Sequence, residues 1–284
     1  MELLWLPFSI ATIFFYGVGQ VLAKESRARI SSANYLLLFG ASVFAIYGLF
    51  WLVFREPAEH DGYSWLKACI AAALAGGAYM SYFEAIKHGK ISIVGTIVGA
   101  YAPWTVILAL VFLGEAMSIG EGVGVALVVM GMLVFTYRSN NGGNGRPEKL
   151  GILFALGAFF LWGTSAAMSK DVMTDIGQTD FIGVFAVVCP TMWVIYWCAT
   201  ARGKLNVPSE GLKVLALSII MLTLGGITMY LAFANGPVSI ASPITNLYPM
   251  LTIAVAKVRL REQLTIRQYG ALAMLFAAVP MFSL

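Results

Sequence analysis

Arg138-Ser139-Asn140-Asn141-Gly142-Gly143-Asn144-Gly145-Arg146-Pro147-Glu148-Lys149 is the one low-complexity run in this sequence, and it divides the chain nearly in half. Asn, Gly and Pro resist helix and strand alike, so the run reads as a linker. On both sides of it the chain is apolar almost throughout. Of 284 residues, 60% are hydrophobic and 11% are charged, against about 25% charged in a soluble domain. Mean hydropathy is +0.82. A water-soluble fold cannot hide so much apolar side chain behind so few charges, which excludes a cytosolic enzyme, a secreted domain and a disordered chain.

Continuous apolar segments predict helices at 4–22, 35–54, 66–86, 91–112 and 119–137 before the linker. After it they predict helices at 150–168, 181–200, 212–234, 238–258 and 266–284. Each is close to the roughly 20 residues that a lipid-crossing helix needs. None alternates with period two, as membrane strands do. The expected fold is an all-α membrane protein of ten transmembrane helices, in units 1–137 and 150–284 joined by 138–149.

Counting loops alternately, Arg55, Lys67 and Lys170 fall at one end of the bundle and the other 15 of the 18 basic residues at the opposite end. Loops rich in Lys and Arg stay cytoplasmic. Both termini are therefore expected outside the cytoplasm, with the chain in the cell (inner or plasma) membrane. The basic residues form no patch interleaved with aromatics, so nucleic acid is not an expected partner. Cys69, Cys189 and Cys198 all lie in apolar segments, and an odd set of this kind is neither a disulfide framework nor a metal site. The first apolar stretch follows Glu2 with no Lys or Arg ahead of it, and does not read as a signal peptide.

The two halves resemble each other in order. Phe14-Phe15-Tyr16-Gly17 pairs with Phe160-Leu161-Trp162-Gly163, and Lys24-Glu25 with Lys170-Asp171. Gly76-Gly77 pairs with Gly225-Gly226, Tyr101-Ala102-Pro103 with Leu247-Tyr248-Pro249, and Glu115 to Ser118 with Glu262 to Thr265. Five spans is an odd number, so the second copy must enter lipid from the opposite face. The expected arrangement is a pair of inverted repeats with a solute site near the midplane between them.

The aromatic-Gly then Lys pattern opening each half resembles the EamA-type transporters of the drug/metabolite transporter superfamily. So do Ser239-Ile-Ala-Ser-Pro-Ile-Thr-Asn-Leu-Tyr-Pro249 and Leu260-Arg-Glu-Gln-Leu-Thr265, followed by Tyr269-Gly-Ala271. The resemblance covers nearly the whole chain. It implies a ten-helix 5+5 fold that moves small metabolites by alternating access, with no cofactor. Its members include amino-acid exporters, sugar-phosphate and nucleotide-sugar exchangers and choline carriers. They are often drawn with cytoplasmic termini, whereas the charge count of this chain points the other way. The related small multidrug resistance proteins carry a carboxylate three residues before the first-helix glycine. Here those places hold Phe14 and Phe160, so carboxylate-exchange antiport is not expected.

Intramembrane charges are costly and usually functional. The one candidate is Glu84, with Lys87 and His88 on the same helix face. It reads either as an interfacial salt bridge or as a proton or cation coupling site. The remaining candidates are aromatic or weakly polar. Tyr16 and Gln20 share a face of the first helix, Tyr79 and Tyr82 one of the third, and Tyr101 and Trp104 one of the fourth. Trp162 and Ser165 share a face of the sixth, and Tyr248 stands with Asn246 in the ninth. Rings with polar tips suit a flat or partly apolar solute, and several rings also suit a quaternary ammonium.

Pro103 and Pro249 each remove a backbone donor. They are expected to kink helices four and nine and to free the carbonyls of Gly99 and Thr245 for the solute, while Pro243 frees that of Ser239. Glu115 and Glu262 read as caps. Gly120 and Gly124, with the small residues of the last helix, permit close packing within a monomer, a homodimer being the alternative.

The expected function is secondary transport of a small neutral or zwitterionic metabolite, with amino-acid export implied by the resemblance. The alternatives are a carrier of choline-like or lipophilic cations, and a lipid flippase or channel. No catalytic or metal residue is expected. His60 and His88 lie near opposite faces, and no acidic cluster joins either.

Overall fold

Several helices begin where a side chain satisfies one of their first backbone N–H groups. In the computed structural model the described residues are 4–27, 29–88, 94, 97–98, 100–136, 149–207, 209–259, 266–278 and 281. Linker residues 138–148 therefore lie outside the described residues, as do Gly99 and Glu262, while Lys149 opens a helix. Before it run α1 (Trp5–Arg27), α2 (Ser32–Phe54), α3 (Gly62–His88), α4 (Ala102–Phe112) and α5 (Ile119–Thr136). After it come α6 (Lys149–Ala201), α7 (Leu212–Asn235), α8 (Val238–Thr245), α9 (Tyr248–Arg259) and α10 (Ile266–Ala278). No strand occurs among the described residues.

Ser31 caps α2 by accepting the Asn34 N–H at 3.3 Å. Asp61 caps α3 by accepting the Ser64 N–H at 3.3 Å, and the Ser64 side chain beside it holds the exposed Asp61 carboxyl below the usual carboxylate range. Ser118 and Glu121 form a reciprocal capping box at α5. Glu115 reaches across the linker boundary and accepts the Val238 and Ser239 N–H groups, both at 2.8 Å. A carboxylate at a helix N-terminus is stabilised by the axial dipole, so Glu115 is the cap that its position in the repeat suggested.

Among the described residues, five helices (α1, α2, α3, α6 and α7) are long and apolar enough to cross a membrane. In α6 the chain runs 53 residues with one break, Gly177 at φ +79°, ψ 157°. The sequence expects an interruption from 169 to 180, and the structure narrows it to this residue. Ser165 and Cys189, twelve residues to either side, donate to adjacent carbonyls of α3, those of Ala71 and Ala72. The two arms, 149–176 and 178–201, therefore double back on one another.

Only glycine is at home near this φ/ψ, and other residues cost about 1–3 kcal/mol there. Nothing stands within 4 Å of an added Cβ at Gly177. Gly177→Ala is expected to lower stability by about 1–3 kcal/mol, read as a drop in the thermal midpoint of the detergent-solubilised protein. Gly177→Ser should lose the same amount, because conformation and not crowding sets the cost.

The predicted span 238–258 is likewise two helices, α8 and α9, separated by Asn246 and Leu247. Pro103 and Pro249 each occupy the second position of a new helix. They start helices where the sequence expects kinks within continuous ones, and a missing N–H costs nothing at that position.

Helices pack mainly across the linker boundary: α3 and α2 on α6, α1 on α7 and α9, α4 on α8 and α6, and α5 on α10. The α3 face toward α6 is built from Ala68, Ala71, Ala72, Ala75 and Gly76. Such small side chains let a neighbouring helix approach the backbone, which is how helices associate in lipid. Trp193 uses that access to donate to the Gly76 carbonyl at 3.1 Å. The outward faces carry bare apolar side chains such as Phe44, Leu52 and Phe112. Cys69 and Cys198 are exposed there, Cys189 is buried, and all three are free.

Candidate functional site

A cavity of about 280 Å³ lies between the middle parts of α1, α2, α3 and α7, the two arms of α6 and the start of α9. Small-molecule sites run from about 300 to 1,000 Å³, so this one suits a compact solute. Tyr16 and Gln20 reach it from α1, and Tyr79 and Tyr82 from α3. Tyr101 stands at its edge just before α4, Trp162 comes from α6, and Tyr248 with Pro249 opens α9. Aromatic pairs close the walls across the two halves of the chain. Tyr16 meets Tyr248 edge-on at 5.5 Å, and Tyr101 meets Trp162 at 6.2 Å. Trp162 also stands edge-on to Tyr79 at 4.9 Å.

Three candidates lie elsewhere. Trp104 turns away and donates to the Thr164 hydroxyl at 3.0 Å, with its ring edge-on to Phe160. Ser165 is buried between helices, with its hydroxyl committed to the Ala71 carbonyl at 2.8 Å. Asn246 is buried and donates to the Ser242 carbonyl at 2.9 Å, standing behind the Tyr101 hydroxyl. The carbonyl-bearing residues expected to serve the solute, Ser239 and Thr245, are buried and do not line the cavity. Phe14 and Phe160 are about half exposed on the outside of the bundle.

Glu84 is also remote from the cavity. It accepts from Lys87 and from the Tyr196 hydroxyl, each at 2.5 Å, and His88 lies at 3.7 Å. Its carboxylate is engaged in a local ion cluster at the end of α3, a placement shared by an interfacial salt bridge and a coupling site at the mouth.

Several cavity residues escape the sequence patterns. Tyr47 and Phe39 come from α2, Phe185 from the second arm of α6, and Met229 and Tyr230 from α7. Room for them is made by Gly225 and Gly226, whose repeat partners are Gly76 and Gly77. Tyr16 lies flat against Gly225, and the Tyr47 hydroxyl lies over Gly226. Among the described residues no Asp, Glu, Lys, Arg or His lines the cavity. Among the described residues there is no cluster of three or more His, Cys, Asp or Glu able to hold a metal ion. Among the described residues the site offers ring faces, phenol hydroxyls, the Thr252 hydroxyl and the Gln20 amide.

Comparison with known proteins gives three findings. An uncharacterised transporter from the cobO 3' region of a Sinorhizobium species is 26% identical over 132 residues, covering 46% of this chain and 91% of its own length. A solved crystal structure 16% identical in sequence superposes with TM-score 0.81 over 99% of this chain and 98% of its own, and so shares the fold. The sequence model of the EamA-like transporter family matches twice, at residues 3–137 and 149–284. The two halves are thus two copies of one transporter unit, and the chain belongs to the EamA-like transporter family.

Proposed function

We propose that this membrane transporter carries a small neutral or zwitterionic solute of the amino-acid type, in the direction of export, by alternating access. The observation that carries this reading is the uncharged, ring-walled cavity midway through the bundle. Strong fixed charge would trap a counter-ion, and phosphorylated solutes would lack the Arg or Lys they need. In this reading ten crossings form two inverted repeats, 1–137 and 150–284, with the solute site near the midplane between them. The two five-helix repeats rock about the site flanked by Tyr16 and Trp162, with helices paired across the repeats. The charge count supports a cell-membrane location with extracytoplasmic termini, and intramolecular packing of α5 on α10 supports a monomer. Membership of a transporter family points to transport and not to catalysis.

The test is flux in proteoliposomes. Wild-type protein is expected to exchange radiolabelled amino acids, and Trp162→Ala to reduce that exchange at least tenfold. Trp162 touches Tyr79, Tyr82 and Tyr101, so its loss opens one wall. Unchanged exchange by Trp162→Ala would sink the site. The density of rings favours one competing reading, a carrier of choline-like cations. Competition by tetraethylammonium but not by amino acids would establish that instead.

A further inference from the structure

We propose that the hydroxyls of Tyr16 and Tyr47, which meet over Gly226, hold the carboxylate of the transported solute, while the rings around Trp162 hold its apolar part. This deepens the preceding proposal and rests on the cavity being the solute site.

The first support is geometric. The point where a Cβ on Gly226 would stand is 2.1 Å from the Tyr47 hydroxyl oxygen and 3.4 Å from that of Tyr16. Two phenol donors from different helices thus converge on one place, close enough for the two oxygens of a single carboxylate. Glycine is what allows it, since any side chain at 226 would occupy the meeting point.

The second support is an excess of donors. Among the described residues the one partner of the Tyr16 hydroxyl is a thioether, Met229 Sδ at 3.9 Å, and sulfur is a weak acceptor. Among the described residues Tyr47 and Tyr230 make no side-chain hydrogen bond, yet both line the cavity. A phenol O–H in a low-dielectric site is costly to leave without an acceptor. An ionised carboxylate has two oxygens with about four lone-pair positions and no donor, so it matches what this wall lacks. A quaternary ammonium has no acceptor at all and would leave every one of these donors unspent.

The third support is the division of the cavity. The Gly226 wall holds the hydroxyl pair, whereas Trp162 with Tyr79 and Tyr82 forms a box of rings. A solute with a carboxylate at one end and an apolar group at the other fits both walls. Neutral donors also suit a carrier, because they bind the anion without the grip of Arg or Lys and permit release.

The experiment measures direct binding to the purified full chain in lipid nanodiscs. The probes are L-phenylalanine and phenethylamine, which lacks only the carboxylate. Tyr47→Phe and Tyr16→Phe are each expected to weaken phenylalanine about tenfold and to leave phenethylamine unchanged. Both substitutions keep the ring contacts, so folding is not at issue, and the phenethylamine result controls for it. Equal loss for both probes, or no loss for either, overturns the carboxylate assignment. If Trp162→Ala weakens phenylalanine while the two phenylalanine variants do not, the cavity reading survives and this inference alone fails. If Trp162→Ala leaves phenylalanine binding untouched, or the wild type binds neither probe, the cavity reading fails and this inference with it.

Discussion

Gly225→Ala is expected to abolish transport and to lower the stability of the solubilised protein by about 1–3 kcal/mol, the usual cost of overpacking. An added Cβ would stand 2.5 Å from Cδ1, 2.8 Å from Cε1 and 3.1 Å from Cγ of Tyr16. These atoms form the body of the ring and not a flexible end, so the side chain cannot swing clear. The ring cannot retreat either, because Tyr248 stands edge-on at 5.5 Å. The backbone of α1 is pinned to α7 one turn away, where the Thr12 hydroxyl donates to Thr228 at 2.9 Å. The strain must therefore appear as a displaced Tyr16, in the wall of the cavity itself. Thermal unfolding and proteoliposome flux measure the two effects. Gly48→Ala is the control. Its Cβ meets nothing within 4 Å, and it should gain the roughly 0.5–1 kcal/mol by which alanine exceeds glycine in a helix. If Gly225→Ala transports like wild type, the contact of α1 with α7 does not position Tyr16.

The parts of this molecule that could be read from sequence are those where lipid dictates the answer. Apolar length, the glycine and aromatic repeat, and the cap at Glu115 follow from helix geometry and the need to satisfy backbone groups in hydrocarbon. Cavity residues were legible where the repeat placed an aromatic twice, as at Tyr16 and Trp162. They were not legible where i, i+3 spacing was read as a shared cavity face. Tyr101 caps α4 with its carbonyl accepting the Trp104 and Thr105 N–H groups at 3.0 and 3.2 Å, so the two do share a turn, but the Trp104 indole is drawn off to the Thr164 hydroxyl. Asn246 lies in the gap between α8 and α9, where helical facing does not apply. Ser165 is on a true helix, but three residues is about 60° short of a full turn, enough to move it from the cavity to the α3 contact. Tyr47 and Tyr230 were invisible for another reason. In a helix apolar all round, periodicity does not separate a lipid face from a cavity face. Only the packing of α2 and α7 around Gly225 and Gly226 brings them in.

The second large effect is expected at Asp180. Asp180→Ala should cost about 2–4 kcal/mol, because hydrogen bonds to a charged acceptor contribute about 1.5–3 kcal/mol each and its partners are left without one. Trp51 Nε1 donates to one carboxylate oxygen at 2.8 Å, and His60 Nε2 lies 3.0 Å from the other. The His60 and Asp180 side chains are only 14% and 13% exposed, so water replaces neither contact well. The Trp51 ring is held in turn against Gly183, one helical turn past Asp180. One carboxylate thus joins the end of α2, the non-helical segment 55–61 and the second arm of α6 just beyond its break at Gly177.

Asp180→Asn retains one acceptor oxygen and should lose about half as much. Lys67→Ala makes the informative contrast. Lys67 bridges Asp171 and Asp175 on the same face, but those carboxylates are 47% and 33% exposed, and exposed pairs contribute at most about 1 kcal/mol. Thermal midpoints would rank Asp180→Ala well below Lys67→Ala. Hydrogen exchange would show residues 55–61 opening in the first and staying closed in the second. If the two variants lose stability equally, burial does not set the strength of these ties. Both ties connect helices from opposite sides of the linker at one face of the bundle. A motion that separated α2 from α6 at that face would have to break the first tie, and one that separated α3 from α6 the second.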